Sequence, residues 1–159
     1  MRERQPAAQS ADGFAVSRRS NRASPGVTQE ASIAVRRDAD IVVARQQGRD
    51  LAARLGFGPT EQTLIATAIS ELTRNIVLYA QRGRVVLKPI ARGKMRGIMV
   101  VASDDGPGIA NLERALQSGF STSGGLGLGL PGVRRLTDEF DIVSEVGHGT
   151  TVTVKKWNR

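Results

Sequence analysis

A glutamate and an asparagine stand four residues apart in the segment Glu71-Leu-Thr-Arg-Asn75. On a helix, this spacing places both side chains on one face, one turn apart, with Tyr79 next in the row. The pair suits a magnesium-phosphate site, because the Asn75 amide oxygen can ligate Mg²⁺ while the Glu71 carboxylate accepts a proton. The same spacing is common on solvated helix faces, so the pair alone does not establish a site.

A carboxylate followed by two glycines comes directly after the apolar run 97–102, in the segment Asp104-Asp-Gly106-Pro-Gly108. The glycines permit backbone torsions that side chains forbid, and they let a ligand approach the main chain. A carboxylate at the end of a strand can accept a hydrogen bond from the 6-amino group of adenine, whereas it repels the oxygen that guanine carries there. An acidic surface turn is the alternative interpretation of this segment.

A third segment, Gly124-Gly-Leu-Gly-Leu-Gly-Leu130, alternates glycine and leucine before Pro131 and a predicted helix. Free backbone N–H groups beside the positive end of a helix dipole favour phosphate binding. The spacing Gly127-x-Gly129-x-x-Gly132 formally matches the dinucleotide fingerprint, but no predicted strand precedes it. A eukaryotic-type kinase loop is excluded, because the single histidine, His148, lies in a predicted turn and not in a His-Arg-Asp motif.

Apolar periodicity and turn residues predict the elements that position these segments. The predicted strands are Ala31–Val35, Arg84–Ile90, Gly97–Ser103, Asp141–Val146 and Thr150–Trp157. The first predicted helix begins at a cap, Asp38 or Asp40, and ends at Leu55, with Gly56 as the stop. The second runs from Glu61 to about Ala80, with Thr60 as its cap. Two further helices are predicted over Leu112–Gln117 and Gly132–Glu139. This order predicts a two-layer α/β sandwich, with a mixed, mostly antiparallel sheet and helices on one face.

The chain of 159 residues has room for one domain and a tail. Residues 1–30 show no sustained apolar period and are predicted to be a disordered basic tail, with the folded domain at 31–159. The sequence has no cysteine, which excludes disulfides, thiol catalysis and zinc-thiolate sites. No apolar run reaches the roughly 20 residues that span a bilayer, and no secretory signal is visible, so a cytoplasmic protein is expected.

The formal net charge of +8 points to acidic partners. Aromatic residues make up only 4% of the chain, too few for a base-stacking platform, so nucleic acid is not the expected partner. One basic cluster is either a solvated hairpin or a docking surface for an acidic protein. The basic cluster consists of Arg82, Arg84, Lys88, Arg92, Lys94 and Arg96.

Together and in this order, the three segments resemble the N, G1 and G2 boxes of the GHKL ATPase superfamily, whose members have the Bergerat ATP-binding fold. Gly147-His-Gly-Thr150 resembles the closing Gly-x-Gly-Thr of that superfamily, where the threonine helps to hold adenine through water. Within the superfamily, residues 68–76, 119–125 and 132–140 are similar to the RsbT-like stressosome switch kinases, and the likeness covers about 31–159.

This resemblance implies ATP and Mg²⁺ as cofactors, Glu71 as general base, Asn75 as magnesium ligand and Asp104 as adenine ligand. It also implies a pocket shaped by glycines, a mobile ATP lid and an adenine contact. The residues implied in these three roles are Gly106 and Gly108 for the pocket, Gly125, Gly127 and Gly129 for the lid, and Thr150 for adenine. Related anti-sigma kinases place an arginine in the lid, where this chain has Ser121, Thr122 and Ser123, so Arg74 is a candidate for stabilising the transferred phosphoryl group.

The resemblance further implies a serine/threonine protein kinase that phosphorylates a STAS-domain protein and then activates a PP2C-type phosphatase in stress signalling. One alternative is an anti-sigma factor kinase that sequesters a sigma factor and phosphorylates the antagonist of that complex. Another alternative is a nucleotide-gated binding protein whose phosphate transfer is incidental.

Overall fold

A computed structural model describes residues 29–117 and 129–159. Five strands form one sheet in the order β1-β2-β3-β5-β4. The strands are β1 (Ala31–Val35), β2 (Gly83–Arg92), β3 (Met95–Asp104), β4 (Glu139–Glu145) and β5 (Gly149–Asn158). All four pairings are antiparallel, so in the part of the chain that is described the sheet is antiparallel throughout and not mixed.

The helices are α1 (Asp38–Arg54), α2 (Pro59–Asn75), α3 (Leu112–Ala115) and α4 (Gly129–Leu136). Helices α1 and α2 cross closely, because Gly48 on α1 leaves room for the side chains of Ile69 on α2 and Leu87 on β2. Ile69 and Leu87 are both fully buried, and each such side chain stabilises the fold by about 1.5–3 kcal/mol relative to exposure. The predicted two-layer α/β sandwich is confirmed.

The helix starts differ from the prediction in their caps. Helix α1 begins after Arg37, and the Asp40 carboxylate accepts hydrogen bonds from the Arg36 N–H at 2.8 Å and the Arg37 N–H at 3.1 Å. Asp40 therefore acts from the third helical position, and these backbone donors hold the pKa of its carboxyl below the ordinary value. Helix α2 begins at Pro59 after Gly58, a position that suits proline, so Thr60 is not its cap.

Several element boundaries also move. Strands β2 and β3 are longer than predicted and meet at a two-residue turn, where Gly93 has a φ of +62°. Helix α4 covers Gly129–Leu136 and not Gly132–Glu139, since Glu139 already begins β4. The predicted tail falls outside the described residues except for 29 and 30, and so it stays a prediction. No helix among the described residues is long and apolar enough to cross a membrane.

Candidate functional site

A cavity of about 460 Å³ lies between the C-terminal part of α2, the end of β3 and the start of α4. This volume is in the range of small-molecule sites. Asn75 and Tyr79 both line the cavity, as expected from their helical spacing. Helix α2 does not continue regularly between them, because Ile76–Ala80 form a π-helical turn. Such turns are rare and frequently occur at functional sites.

The π-helical turn keeps Ile76 buried at 2% exposure while Tyr79, 44% exposed, lines the cavity. It ends at Gln81, which has a left-handed φ of 73° and donates its backbone N–H to the Ile76 carbonyl at 2.8 Å. The sequence predicted only a regular helix to about Ala80, because the apolar residues in this turn keep a helical period.

Glu71 is buried, with 8% of the residue exposed. One carboxylate oxygen, Oε2, accepts a charge-assisted hydrogen bond from Arg74 Nη1 at 2.6 Å. The other oxygen, Oε1, accepts a hydrogen bond from the backbone N–H of Gly129 at 3.2 Å. Since Gly129 is itself a wall residue of the cavity, these contacts place the carboxylate beside the cavity wall at the first residue of α4.

Asp104 is the last residue of β3, and strand register brings it opposite Thr150, the second residue of β5. Both residues line the cavity. The Asp104 Oδ1 atom accepts the backbone N–H of Gly106 at 2.9 Å. An ionised carboxylate offers about four lone-pair positions, so this single bond leaves Asp104 acceptor capacity for a ligand.

The two glycines after Asp104 are required by close packing. A Cβ atom at Gly106 would lie 2.6 Å from the Ala80 Cβ, so the loop backbone rests directly on the π-helical turn. Gly108 has a φ of +78°, and a Cβ atom there would collide with the carbonyl of Glu145. The backbone N–H of Gly147 also donates to the Pro107 carbonyl at 2.8 Å, which fixes the loop against the β4–β5 turn.

Two residues in or beside the cavity wall were not predicted from the sequence. The Ser144 hydroxyl accepts the Ile109 N–H at 2.8 Å and lies 2.8 Å from the Thr150 hydroxyl oxygen, so it links the loop after β3 to β5. Nothing in the local sequence marks Ser144, since only sheet register brings it there. Arg114 on α3 is the one cation among the wall residues in the described ranges. Its position in the sequence, between the two glycine-rich segments, could have indicated that it lies near the cavity.

Of the remaining predicted site residues, only Gly129 is among the residues that the structure describes. Gly129 begins α4 with a φ of +66°. Gly125 and Gly127, and also Ser121, Thr122 and Ser123, lie outside the described residues. Within 29–117 and 129–159, no group of three or more His, Cys, Asp or Glu side chains could hold a metal ion.

The basic cluster is partly neutralised within the chain. The Arg92 guanidinium lies 3.1 Å from Glu139 and 4.5 Å from the centroid of the Trp157 ring. The indole N–H of Trp157 and the Arg92 guanidinium hold the pKa of Glu139 below its ordinary value. Lys88 lies 3.6 Å from Glu30.

The other members of the basic cluster differ in this respect. Arg84 donates to the Ser32 hydroxyl, whereas Arg82, Lys94 and Arg96 have no ion-pair partner among the residues that the structure describes.

Residues 60–158 match the family of histidine kinase-, DNA gyrase B- and HSP90-like ATPases. The serine/threonine-protein kinase RsbT of Bacillus subtilis (strain 168) is 52% identical over 120 residues, which are 76% of this chain and 90% of that protein. The anti-sigma F factor of Geobacillus sp. (strain WCH70) is 33% identical over 104 residues, 61% of this chain and 70% of that protein.

Two solved structures share the fold. The RsbU and RsbW domains of a Mycobacterium tuberculosis protein superpose with a TM-score of 0.56 at 20% identity over 83% of this chain, which spans about a third (34%) of that one. The SiaB–SiaC complex of Pseudomonas aeruginosa gives a TM-score of 0.52 at 12% identity, covering 90% of this chain and 97% of that one. The predicted GHKL membership is confirmed: the chain belongs to the family of histidine kinase-, DNA gyrase B- and HSP90-like ATPases.

Proposed function

We propose that this chain is an ATP-dependent serine/threonine protein kinase that acts as a switch on regulatory proteins. The observation that carries the proposal is the 52% identity to the RsbT kinase over 90% of that protein. The site agrees with it, because Asn75, Asp104 and Thr150 line one cavity and Glu71 bonds to Gly129 in its wall. The enzyme class is the one predicted from the sequence.

Glu71 is the proposed general base. Its carboxylate accepts the proton of the substrate serine or threonine hydroxyl while that oxygen forms a bond to the γ-phosphorus. The bond between this phosphorus and the bridging oxygen to the β-phosphate breaks, which leaves ADP and a phosphorylated side chain. The Asn75 amide oxygen would hold Mg²⁺ together with the nucleotide phosphates, and the ion would neutralise part of the phosphate charge there. Two hydrogen bonds, from Arg74 and from the Gly129 N–H, hold the buried Glu71 carboxylate beside the cavity.

The adenine is proposed to bind where strands β3 and β5 meet. Asp104 accepts a hydrogen bond from the 6-amino group, and the Thr150 hydroxyl assists through water. Gly106 and Gly108 let the loop backbone pass close to the base, since a side chain at either position would collide with neighbouring atoms. Gly125, Gly127 and Gly129 are proposed to belong to the lid over the phosphates, and Arg114 provides a positive charge in the cavity wall.

The proposed protein substrate is a STAS-domain protein in the cytoplasm, and the proposed second partner is a PP2C-type phosphatase that the chain activates after leaving its substrate. These partner classes follow from the resemblance to RsbT-like stressosome switch kinases, and the 52% identity to the Bacillus subtilis RsbT kinase supports that resemblance. The second candidate function is an anti-sigma factor kinase, which the 33% identity to an anti-sigma F factor favours.

One experiment separates the two functions. The purified chain is incubated with Mg²⁺ and γ-³²P-labelled ATP, together with a STAS-domain protein from the same genome, and its binding to each sigma factor is measured in parallel. We expect label on a serine or threonine of the STAS protein, none on a variant with that residue changed to alanine, and no stable sigma complex. Tight sigma binding would favour the anti-sigma function, and the absence of transfer to any STAS protein would refute the kinase proposal.

A further inference from the structure

The carboxylate of Glu71 is held from two sides by different parts of the chain. Arg74, one helical turn later on α2, contacts Oε2 at 2.6 Å, and the first backbone N–H of α4 contacts Oε1 at 3.2 Å. The Glu71 side chain is 10% exposed and the Arg74 side chain 39% exposed. Rotation of the carboxylate would break both hydrogen bonds, and at this burial few water molecules are available to replace them.

The two contacts are unequal. The bond to Arg74 is short and charge-assisted, and such bonds are about twice as strong as neutral ones. The bond from the Gly129 N–H is long at 3.2 Å and its donor carries no charge, so Oε1 is the oxygen that can more easily turn to another hydrogen-bond donor. The geometry therefore assigns Oε2 to holding the carboxylate in place and Oε1 to receiving a proton.

The position of Arg74 argues against the phosphate contact that the sequence had left open for it. Arg114, and not Arg74, is among the described residues that line the cavity. The short bond to Glu71 also directs the guanidinium to the carboxylate. If the guanidinium moved away to the transferred phosphate, it would break this bond and leave a buried carboxylate without its strongest partner.

We propose that Arg74 is a positioning residue for the general base: it orients the Glu71 carboxylate, and it does not contact the nucleotide. This inference rests on the proposed kinase function and on the role of Glu71 as base. Arg74 then acts only through Glu71. Its removal lowers the turnover rate without changing the affinity for ATP.

The test is a double-mutant cycle between the two residues, measured as single-turnover phosphate transfer at saturating ATP and saturating protein substrate. Arg74→Met keeps the aliphatic stem and removes the charge and the donors. We expect it to lower the rate by roughly tenfold or more, and by no more than the about 10²–10⁴-fold that a general base contributes. In the Glu71→Gln background, the same change is expected to have no further effect.

Two variants control for folding and for charge. Arg74→Lys keeps a positive charge on a shorter side chain and is expected to be faster than Arg74→Met. A purely structural role for Arg74 would not require this partial rescue of the rate. Arg54→Met removes an arginine from the exposed last turn of α1 and is expected to leave the rate unchanged. Thermal melting of every variant identifies any that fail to fold.

The possible outcomes are distinguishable. A fall in rate with unchanged ATP affinity, absent in the Glu71→Gln background, supports the positioning role. An equal fall in both backgrounds, or weaker ATP binding, places Arg74 at the phosphate and overturns the inference while the kinase proposal stands. A wild-type rate for Arg74→Met also overturns it. Full transfer by Glu71→Gln alone refutes the base assignment, and with it this inference.

Discussion

Replacing Asp104 by asparagine tests the proposed adenine contact with the smallest possible change of shape. In the structure, Oδ1 accepts the backbone N–H of Gly106 at 2.9 Å. This donor fixes the orientation of the new amide, because only the amide oxygen can accept from an N–H. The NH₂ group must then occupy the place of Oδ2. At the position that faces the adenine, the substitution therefore replaces a hydrogen-bond acceptor, Oδ2, by a donor, the NH₂ group.

The magnitude follows from this reversal. The variant loses a hydrogen bond between a charged acceptor and the 6-amino group of adenine, a loss of about 1.5–3 kcal/mol. At 1.4 kcal/mol for each factor of ten, ATP is expected to bind about 10- to 150-fold more weakly. GTP is expected to bind no more weakly than to the wild type, and better if the amide reaches the guanine oxygen. The preference for ATP over GTP therefore falls, because ATP binds more weakly while GTP binds as well as before or better.

Titration calorimetry with ATP and with GTP measures both affinities. The matched control is Asp105→Asn, which removes the same charge from the neighbouring, exposed residue that does not line the cavity. Unchanged ATP affinity in Asp104→Asn, with the fold intact by thermal melting, would refute the contact. An equal loss in Asp105→Asn would attribute the effect to the general field of the two carboxylates and not to a hydrogen bond.

Three further predictions concern catalysis, docking and the N-terminal segment. Glu71→Gln is expected to bind ATP normally and to transfer phosphate about 10²–10⁴-fold more slowly, and transfer within threefold of the wild type would remove Glu71 from the role of base. Changing Lys94 and Arg96 to glutamate should slow association with an acidic partner and weaken the salt dependence of the association rate. Arg92 is left in place because it is paired within the chain. An association rate that responds neither to the substitutions nor to salt favours the solvated hairpin. Deleting residues 1–28 should leave melting temperature and ATP affinity nearly unchanged, since every described core residue lies at or after Ile33, and loss of folding would show that the domain boundary is wrong.

The position of Asp104 could be predicted only in part from the sequence. The two-residue turn after Arg92 fixes the register of β2 and β3, so local turn chemistry determines which residue lies opposite Gly83. Nothing local fixes the pairing of β3 with β5, because α3, α4 and β4 lie between them along the chain. The adenine roles of Asp104 and Thr150 were implied by a family resemblance, whereas the pairing of these two residues and the Ser144 contact were not predicted.

The region around the proposed base could be predicted from the sequence only as far as Asn75. The spacing of Glu71, Arg74 and Asn75 is visible in the sequence, and a regular helix places them correctly up to Asn75. The π-helical turn that follows lies against a loop that is distant in sequence, since a Cβ atom added at Gly106 would come within 2.6 Å of the Ala80 Cβ. Sequence periodicity reports which residues are apolar, and Ile76–Ala80 keep that pattern in either kind of helix.

The proposed adenine contact and the proposed general base depend on different parts of the fold. The proposed adenine contact depends on the register of β3, β5 and β4, which brings Asp104, Thr150 and Ser144 together. The proposed base depends on α2 and on the first N–H of α4. Because no residue belongs to both groups, substitutions at the strand ends should change the affinity for ATP, whereas those at Glu71 and Arg74 should change the rate of transfer.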